Sequence, residues 1–126
     1  IRIVIDPRNQ LNKALNLFDG TQPTHVFTQF PKKHRKNVTY HTLDSADPIT
    51  VILDQLLQLN IQSILVEGGT HTIEKFLSSN LWDEARIFTS HQKFYHGISA
   101  PKMGAPPHYR TQISHDTLTT YYTVHN

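Results

Sequence analysis

The sequence predicts an α/β domain on a mixed sheet, and three observations carry that reading. Short runs at Ile1–Ile5, His25–Thr28 and Val38–Thr42 alternate apolar and polar residues or are rich in β-branched and aromatic ones. Two later segments, from Pro48 and from Thr70, change to a helical period. Two runs rich in threonine and tyrosine, Tyr109–Ser114 and Leu118–Val124, then suit an antiparallel pair at a sheet edge. The expected order is β, loop, β, β, α, β, α, β, β, β, with no internal repeat, which makes an α/β or α+β layer.

A chain of 126 residues makes one domain at most. At 37% apolar it supports a core, and at 17% charged it does not read as a disordered tail. Cysteine is absent, which excludes disulfides and a thiolate zinc site. No apolar run approaches the roughly 20 residues that span a bilayer, and the start shows no signal-peptide pattern. The expectation is a soluble cytoplasmic protein without a membrane partner. The chain opens as IRIVID, inside a strand and without Met, so it is expected to be a fragment. Net charge is +2, with nine histidines neutral at pH 7. That balance is too weak to indicate nucleic acid without a concentrated patch.

Asp6-Pro7 stops the first strand and leaves Asp6 at its C-terminal tip, where α/β folds place ligands. The carboxylate reads either as a turn cap or as a ligand contact. Residues 8–24 are irregular, with Leu11, Leu15, Leu17 and Phe18 expected to pack and Asp19-Gly20 to turn. His25 opens the second strand, where it marks an edge. Lys32-Lys33-His34-Arg35-Lys36 is the one charge run; a solvated loop explains it more simply than an anion patch. Val38 and Tyr40 share a face of the third strand. Asp47-Pro48 starts a helix whose stripe is Ile49, Ile52, Leu53, Leu56 and Leu57, and Asn60 ends it. Ser63–Val66 reads as a buried strand, Glu67-Gly68-Gly69 as a turn, and Thr70–Leu77 as a helix with Ile73, Phe76 and Leu77 on one face. Ala85–Thr89 is another strand after the Trp82 corner. Residues 90–107 form a long loop, and the last two strands turn about His115-Asp116-Thr117.

Strand, glycine turn and helix N-terminus together make a binding crevice, where free N–H groups and the helix dipole meet an anion. Glu67 reads either as an orienting or proton-handling group or as a carboxylate satisfied by nearby amides. Gly68 and Gly69 allow a close approach, although a tight turn alone explains them, and the pair is not a dinucleotide fingerprint. His71 lies in the first helical turn, beside the possible anion site or simply exposed. His91 and His96 show no metal-ligand spacing, His34, His41, His108, His115 and His125 read as surface residues, and no nucleophile elbow is present.

The run Ile64-Leu65-Val66-Glu67-Gly68-Gly69-Thr70, then Phe76-Leu77 and Leu81-Trp82-Asp83-Glu84, resembles the C-terminal reductase domain of the bifunctional riboflavin biosynthesis deaminase-reductases. Gly97-Ile98-Ser99-Ala100-Pro101 matches that family's glycine-bearing loop, and Arg2-Ile3-Val4-Ile5-Asp6 its strand ending in aspartate. The resemblance implies a dihydrofolate-reductase-like three-layer fold: a mostly parallel mixed sheet, a C-terminal antiparallel hairpin, and an N-terminal portion missing here. Residues 1–126 would be a partial reductase domain with the deaminase domain absent. It implies NADPH-dependent reduction of a phosphoribosylamino-pyrimidine, 5-amino-6-(5-phosphoribosylamino)uracil, from ribosyl to ribityl. Glu67 would be the catalytic residue. Asp6, Arg8 and Glu67 would bind substrate, and Gly68, Gly69, Thr70 and His71 the cofactor. No metal is implied in this segment; zinc belongs to the deaminase part. A homodimer is implied.

Two departures stand out. The family's aspartate-serine-x-x-arginine becomes Asp6-Pro7 with Gln10 at the arginine position, leaving Arg8 as the nearby cation. The preceding strand and loop of the reductase domain are not in this chain, so the segment alone is expected to be inactive. Alternative readings are a non-catalytic scaffold or dimerisation portion, a related dihydrofolate-type reductase, and a nucleic-acid binder through residues 32–36.

Overall fold

The computed structural model describes residues 1–45 and 47–124. The expected surface position of His125 lies outside the described residues. The chain divides into two compact units, Ile1–Ser63 and Ile64–Asn126.

In the first unit, β1 (Arg2–Ile5), β2 (Thr24–Thr28) and β3 (Val38–Thr42) form a parallel sheet in the order β1-β2-β3. Val4 stands opposite Val26, and Val26 opposite Tyr40. The period-2 alternation therefore sends Val4, Val26, Val38 and Tyr40 to one face. Phe18 and the half-buried Leu11 cover them from the β1–β2 crossover. That crossover holds only a short 3-10 turn, Asn16–Phe18. Of its four leucine and phenylalanine candidates, Leu15 and Leu17 are exposed instead of packed. The exposed carboxylate of Asp19 closes the crossover. It accepts from the Thr21 N–H and hydroxyl and from Arg2, and these bonds, the Thr21 amide first, lower its pKa to about 2. Gly20 beside it has φ +73° and lies against the Lys36 carbonyl, so this turn requires glycine.

Helix α1 (Pro48–Gln58) starts where expected. Asp47 accepts from the Thr50 amide and hydroxyl, and Pro48 needs no acceptor. Ile49, Ile52 and Leu56 are buried, each worth about 1.5–3 kcal/mol in transfer terms. Leu57, expected in the same stripe, is exposed, because it lies outside the arc those three define. Asn60 ends the helix at φ 60°.

The second unit contains α2 (Thr70–Ser78), β3's successor β4 (Glu84–Thr89), β5 (Tyr109–Ile113) and β6 (Asp116–Tyr122). The strands form an antiparallel sheet in the order β4-β6-β5. The hairpin turn falls at Ser114-His115, with Ile113 opposite Asp116, earlier than expected. Ser114 supplies the left-handed residue at φ 54°, and Asp116 and Thr117 join the ladder. Phe76 is the buried residue of α2, and Trp82 is half-buried at the α2–β4 connection.

The expected strand at Ser63–Val66 is not formed, and residues 61–69 carry no regular structure. A strand exists only by pairing, and no described strand offers this segment a ladder. Leu65 is accordingly 85% exposed. A second correction concerns His25. It lies on the central strand of its sheet, not an edge, because β1 and β3 flank β2.

Candidate functional site

Asp6 follows β1 directly and is 6% exposed. Its Oδ1 accepts from the Gln10 amide at 2.9 Å and its Oδ2 from the Leu11 amide at 3.0 Å. Its own N–H donates to the Phe27 carbonyl. The carboxylate thus pins the chain as it leaves the sheet, which is the turn-cap role the aspartate-proline pair allows. Each carboxylate oxygen keeps a further lone pair.

The cation that reaches Asp6 is Lys13, not Arg8. The Lys13 ammonium lies 3.6 Å from Oδ2 and 4.4 Å from the centre of the Phe18 ring. It is buried and makes no hydrogen bond among the described residues. Arg8 is exposed. Sequence reasoning missed Lys13, because its approach to Asp6, Phe18 and Tyr40 is set by tertiary placement.

In the second unit, Glu67, Gly68, Gly69, Thr70 and His71 run consecutively into the start of α2. Glu67 and His71 are exposed. Gly69 is the N-cap at φ −70° and ψ 162°, a conformation open to any residue, and a Cβ there would meet nothing within 4 Å. A Cβ on Gly68 would make only an ordinary 3.6 Å contact with Thr72. Neither backbone geometry nor internal packing requires these two glycines. An N-cap glycine also leaves the first amides of α2 without a side-chain acceptor. The result is an uncapped, unobstructed helix N-terminus, complementary to an anion that comes close to the backbone.

Thr70 turns its hydroxyl elsewhere. Its Oγ1 donates to the Ser99 carbonyl at 2.8 Å, in the loop between β4 and β5. Residues of α2 and of this loop line an open depression of about 600 Å³. Glu74 and Lys102 are its charged members, and Leu77, Ile98 and Ala100 its apolar ones.

The histidines outside this site are more organised than expected. His25 Nδ1 and His41 Nε2 are 2.8 Å apart and share a hydrogen bond, and the His41 ring stacks on Phe27 at 4.9 Å. Burial lowers the pKa of both rings, and His41 is lowered further by the neighbouring His25 and His34. His34 Nδ1 accepts from the Tyr40 amide, and His108 Nδ1 from the Tyr122 amide. His34 and His108 are exposed, as expected of surface residues, and each accepts from a backbone amide, whereas His41 is half-buried. No cluster of three or more metal-ligating side chains occurs among the described residues. Nor is any described helix long and apolar enough to cross a membrane. Residues 31–37, which include the charge run, are exposed loop.

No curated protein matches the sequence. A deaminase/5-amino-6-(5-phosphoribosylamino)uracil reductase from Thermotoga maritima superposes with a TM-score of 0.79 at 22% identity, over 98% of this chain and 37% of that one. Two crystal forms of Acinetobacter baumannii RibD superpose with TM-scores of 0.71 at 16% identity. They cover 96% and 98% of this chain, and 37% of the relative in each case. The fold is thus the dihydrofolate-reductase-like α/β fold that the sequence led us to expect, and the chain spans about 37% of the length of these relatives. The sequence profile of the RibD C-terminal domain matches residues 1–90, through β1, both helices and the Glu67-Gly68-Gly69 turn, and the chain therefore belongs to the RibD C-terminal domain family.

Proposed function

We propose that this chain is the C-terminal part of a reductase domain. In this reading it serves NADPH-dependent reduction of 5-amino-6-(5-phosphoribosylamino)uracil, from ribosyl to ribityl, in riboflavin biosynthesis. Membership of the family supports the reaction class. The observation that carries the site is the pair of glycines that the chain itself does not require, set before an uncapped helix. A dinucleotide's phosphates fit there: they are anionic, and they need close approach to backbone N–H groups.

Gly68, Gly69, Thr70 and His71 would hold the cofactor through their amides and through the His71 ring. NADPH bound there supplies the hydride. Glu67 stands exposed at the mouth of the turn, where its carboxylate would accept from ribose hydroxyls and hold or release a proton. Asp6 would use its remaining lone pairs on substrate hydroxyls while its first two stay with Gln10 and Leu11. Arg8, exposed, would supply charge for the phosphate. The protein would work as a homodimer in the cytoplasm.

A second reading, a non-catalytic dimerisation portion, draws on β5, an edge strand whose five residues are all exposed.

The two readings separate in the full chain by following NADPH consumption with the pyrimidine substrate. Glu67→Gln should lower turnover by about 100-fold. Normal turnover in both Glu67→Gln and Glu67→Ala would remove Glu67 from the mechanism. Absence of any NADPH consumption by the wild-type full chain would favour the dimerisation reading.

A further inference from the structure

We propose that the Thr70 hydroxyl is a latch: by donating to the Ser99 carbonyl it holds the 97–104 loop against α2, and so couples loop closure to occupancy of the Gly68-Gly69 turn. The coupling rests on the reading of that turn as the cofactor wall. The latch itself rests on geometry alone.

Thr70 faces two ways. Its backbone amide is one of the uncapped donors at the helix start, and its Oγ1 reaches a carbonyl 29 positions away at 2.8 Å. Among the described residues this is the one hydrogen bond between α2 and the β4–β5 loop. Little else restrains that loop. Residues 90–108 carry no helix or strand, and Phe94, Tyr95 and Ile98 are each 90% exposed or more. The loop is tied down at its far end, where the His108 amide donates to the Thr120 carbonyl. Gly97, at φ +151°, and Gly104 bracket the latched segment, and a Cβ on either would meet nothing within 4 Å. Both ends are glycines, which adopt a wider range of backbone angles than other residues. Closing the latch forms the depression in which Ser99, Ala100 and Lys102 face Thr70, Glu74 and Leu77.

An anion on the first amides of α2 fixes Thr70 in the orientation that its hydroxyl needs. Linkage makes the effect reciprocal. Whatever factor the latch adds to cofactor affinity, the cofactor adds to loop closure.

Limited trypsin digestion of the full chain tests both statements. The Lys102–Met103 bond lies in the latched segment, and the Lys93–Phe94 bond, before Gly97, is the internal reference. Thr70→Val keeps the branched shape and removes the donor, so cleavage after Lys102 should accelerate about threefold to tenfold relative to Lys93, the range that one net hydrogen bond supports. Thr70→Ser restores the donor and should cleave like wild type. Ser99→Ala leaves the accepting carbonyl in place and should also be unchanged, which distinguishes a latch from a general role of either residue. NADPH should protect Lys102 in wild type more than in Thr70→Val, and should bind that variant weaker by the same factor. Equal cleavage after Lys102 in wild type and Thr70→Val would overturn the latch. Equal NADPH affinity in the two would overturn the coupling. A latch effect in a wild-type protein that binds no NADPH would overturn the cofactor reading, and the coupling with it, while the latch stood.

Discussion

The two halves of the chain solve different problems. Every buried apolar side chain among the described residues except Phe76 lies in Ile1–Ser63. The second unit instead exposes Leu65, Phe88, Phe94, Tyr95, Ile98 and Tyr109. Yet the glycine turn, the uncapped helix and the latched loop all belong to this less buried half. The buried apolar core and the proposed cofactor segment thus lie in different halves, while the proposed substrate contacts Asp6 and Arg8 stay with the core. The second unit has few buried apolar side chains and an uncapped helix start, whereas the first unit has its interior already in place.

The largest expected effect tests that contrast directly. Phe27 is fully buried, and Phe27→Ala should cost about 3–5 kcal/mol in denaturant unfolding of the full chain. Leu65→Ala should change stability by no more than about 0.5 kcal/mol. A comparable loss in both would mean that residues 64–66 are covered, and the contrast would fail.

Asp6→Asn sharpens the picture within the first unit. The amide cannot accept both backbone N–H bonds, and Lys13 loses its carboxylate, so a loss of about 1–3 kcal/mol is expected. An unchanged midpoint would free Asp6 from its turn role and leave it for substrate alone.

The His25–His41 pair gives a smaller, pH-dependent effect. Burial holds both rings below their ordinary pKa in the folded state, so the folded chain binds fewer protons than the unfolded one. Their contribution is complete above about pH 6.5 and is lost as pH falls through the lowered folded values. Melting temperature should therefore drop between pH 7 and pH 5, and the drop should be shallower in His41→Gln. An equal slope in the variant would contradict the assignment.

The sequence made the first unit legible because its signals are local or periodic. Asp47-Pro48, the Ile49, Ile52 and Leu56 stripe, and the Val38 and Tyr40 alternation each name their own structure. Ser63–Val66 shows the limit of that logic. Its composition suits a buried strand, but pairing is a property of a neighbour, and composition does not supply one. The Ser114-His115 turn escaped because neither residue is a strong left-handed former. For the site, the start of a helix directly after the Gly68-Gly69 pair was legible. Three other features depend on tertiary placement between distant residues: Lys13 beside Asp6, the histidine pair, and the Thr70–Ser99 bond.

In the proposed site, the open amides behind Gly69 receive the cofactor's phosphates. Gly69→Asp sets stability against binding at that one position. Aspartate is a better N-cap than glycine by a few tenths of a kcal/mol, and its charge favours the helix dipole. It also occupies the donors and repels a phosphate. NADPH titration of the full chain, alongside thermal unfolding, should show a melting temperature equal to or above wild type with affinity reduced about tenfold or more. Undiminished NADPH affinity in Gly69→Asp would contradict the account.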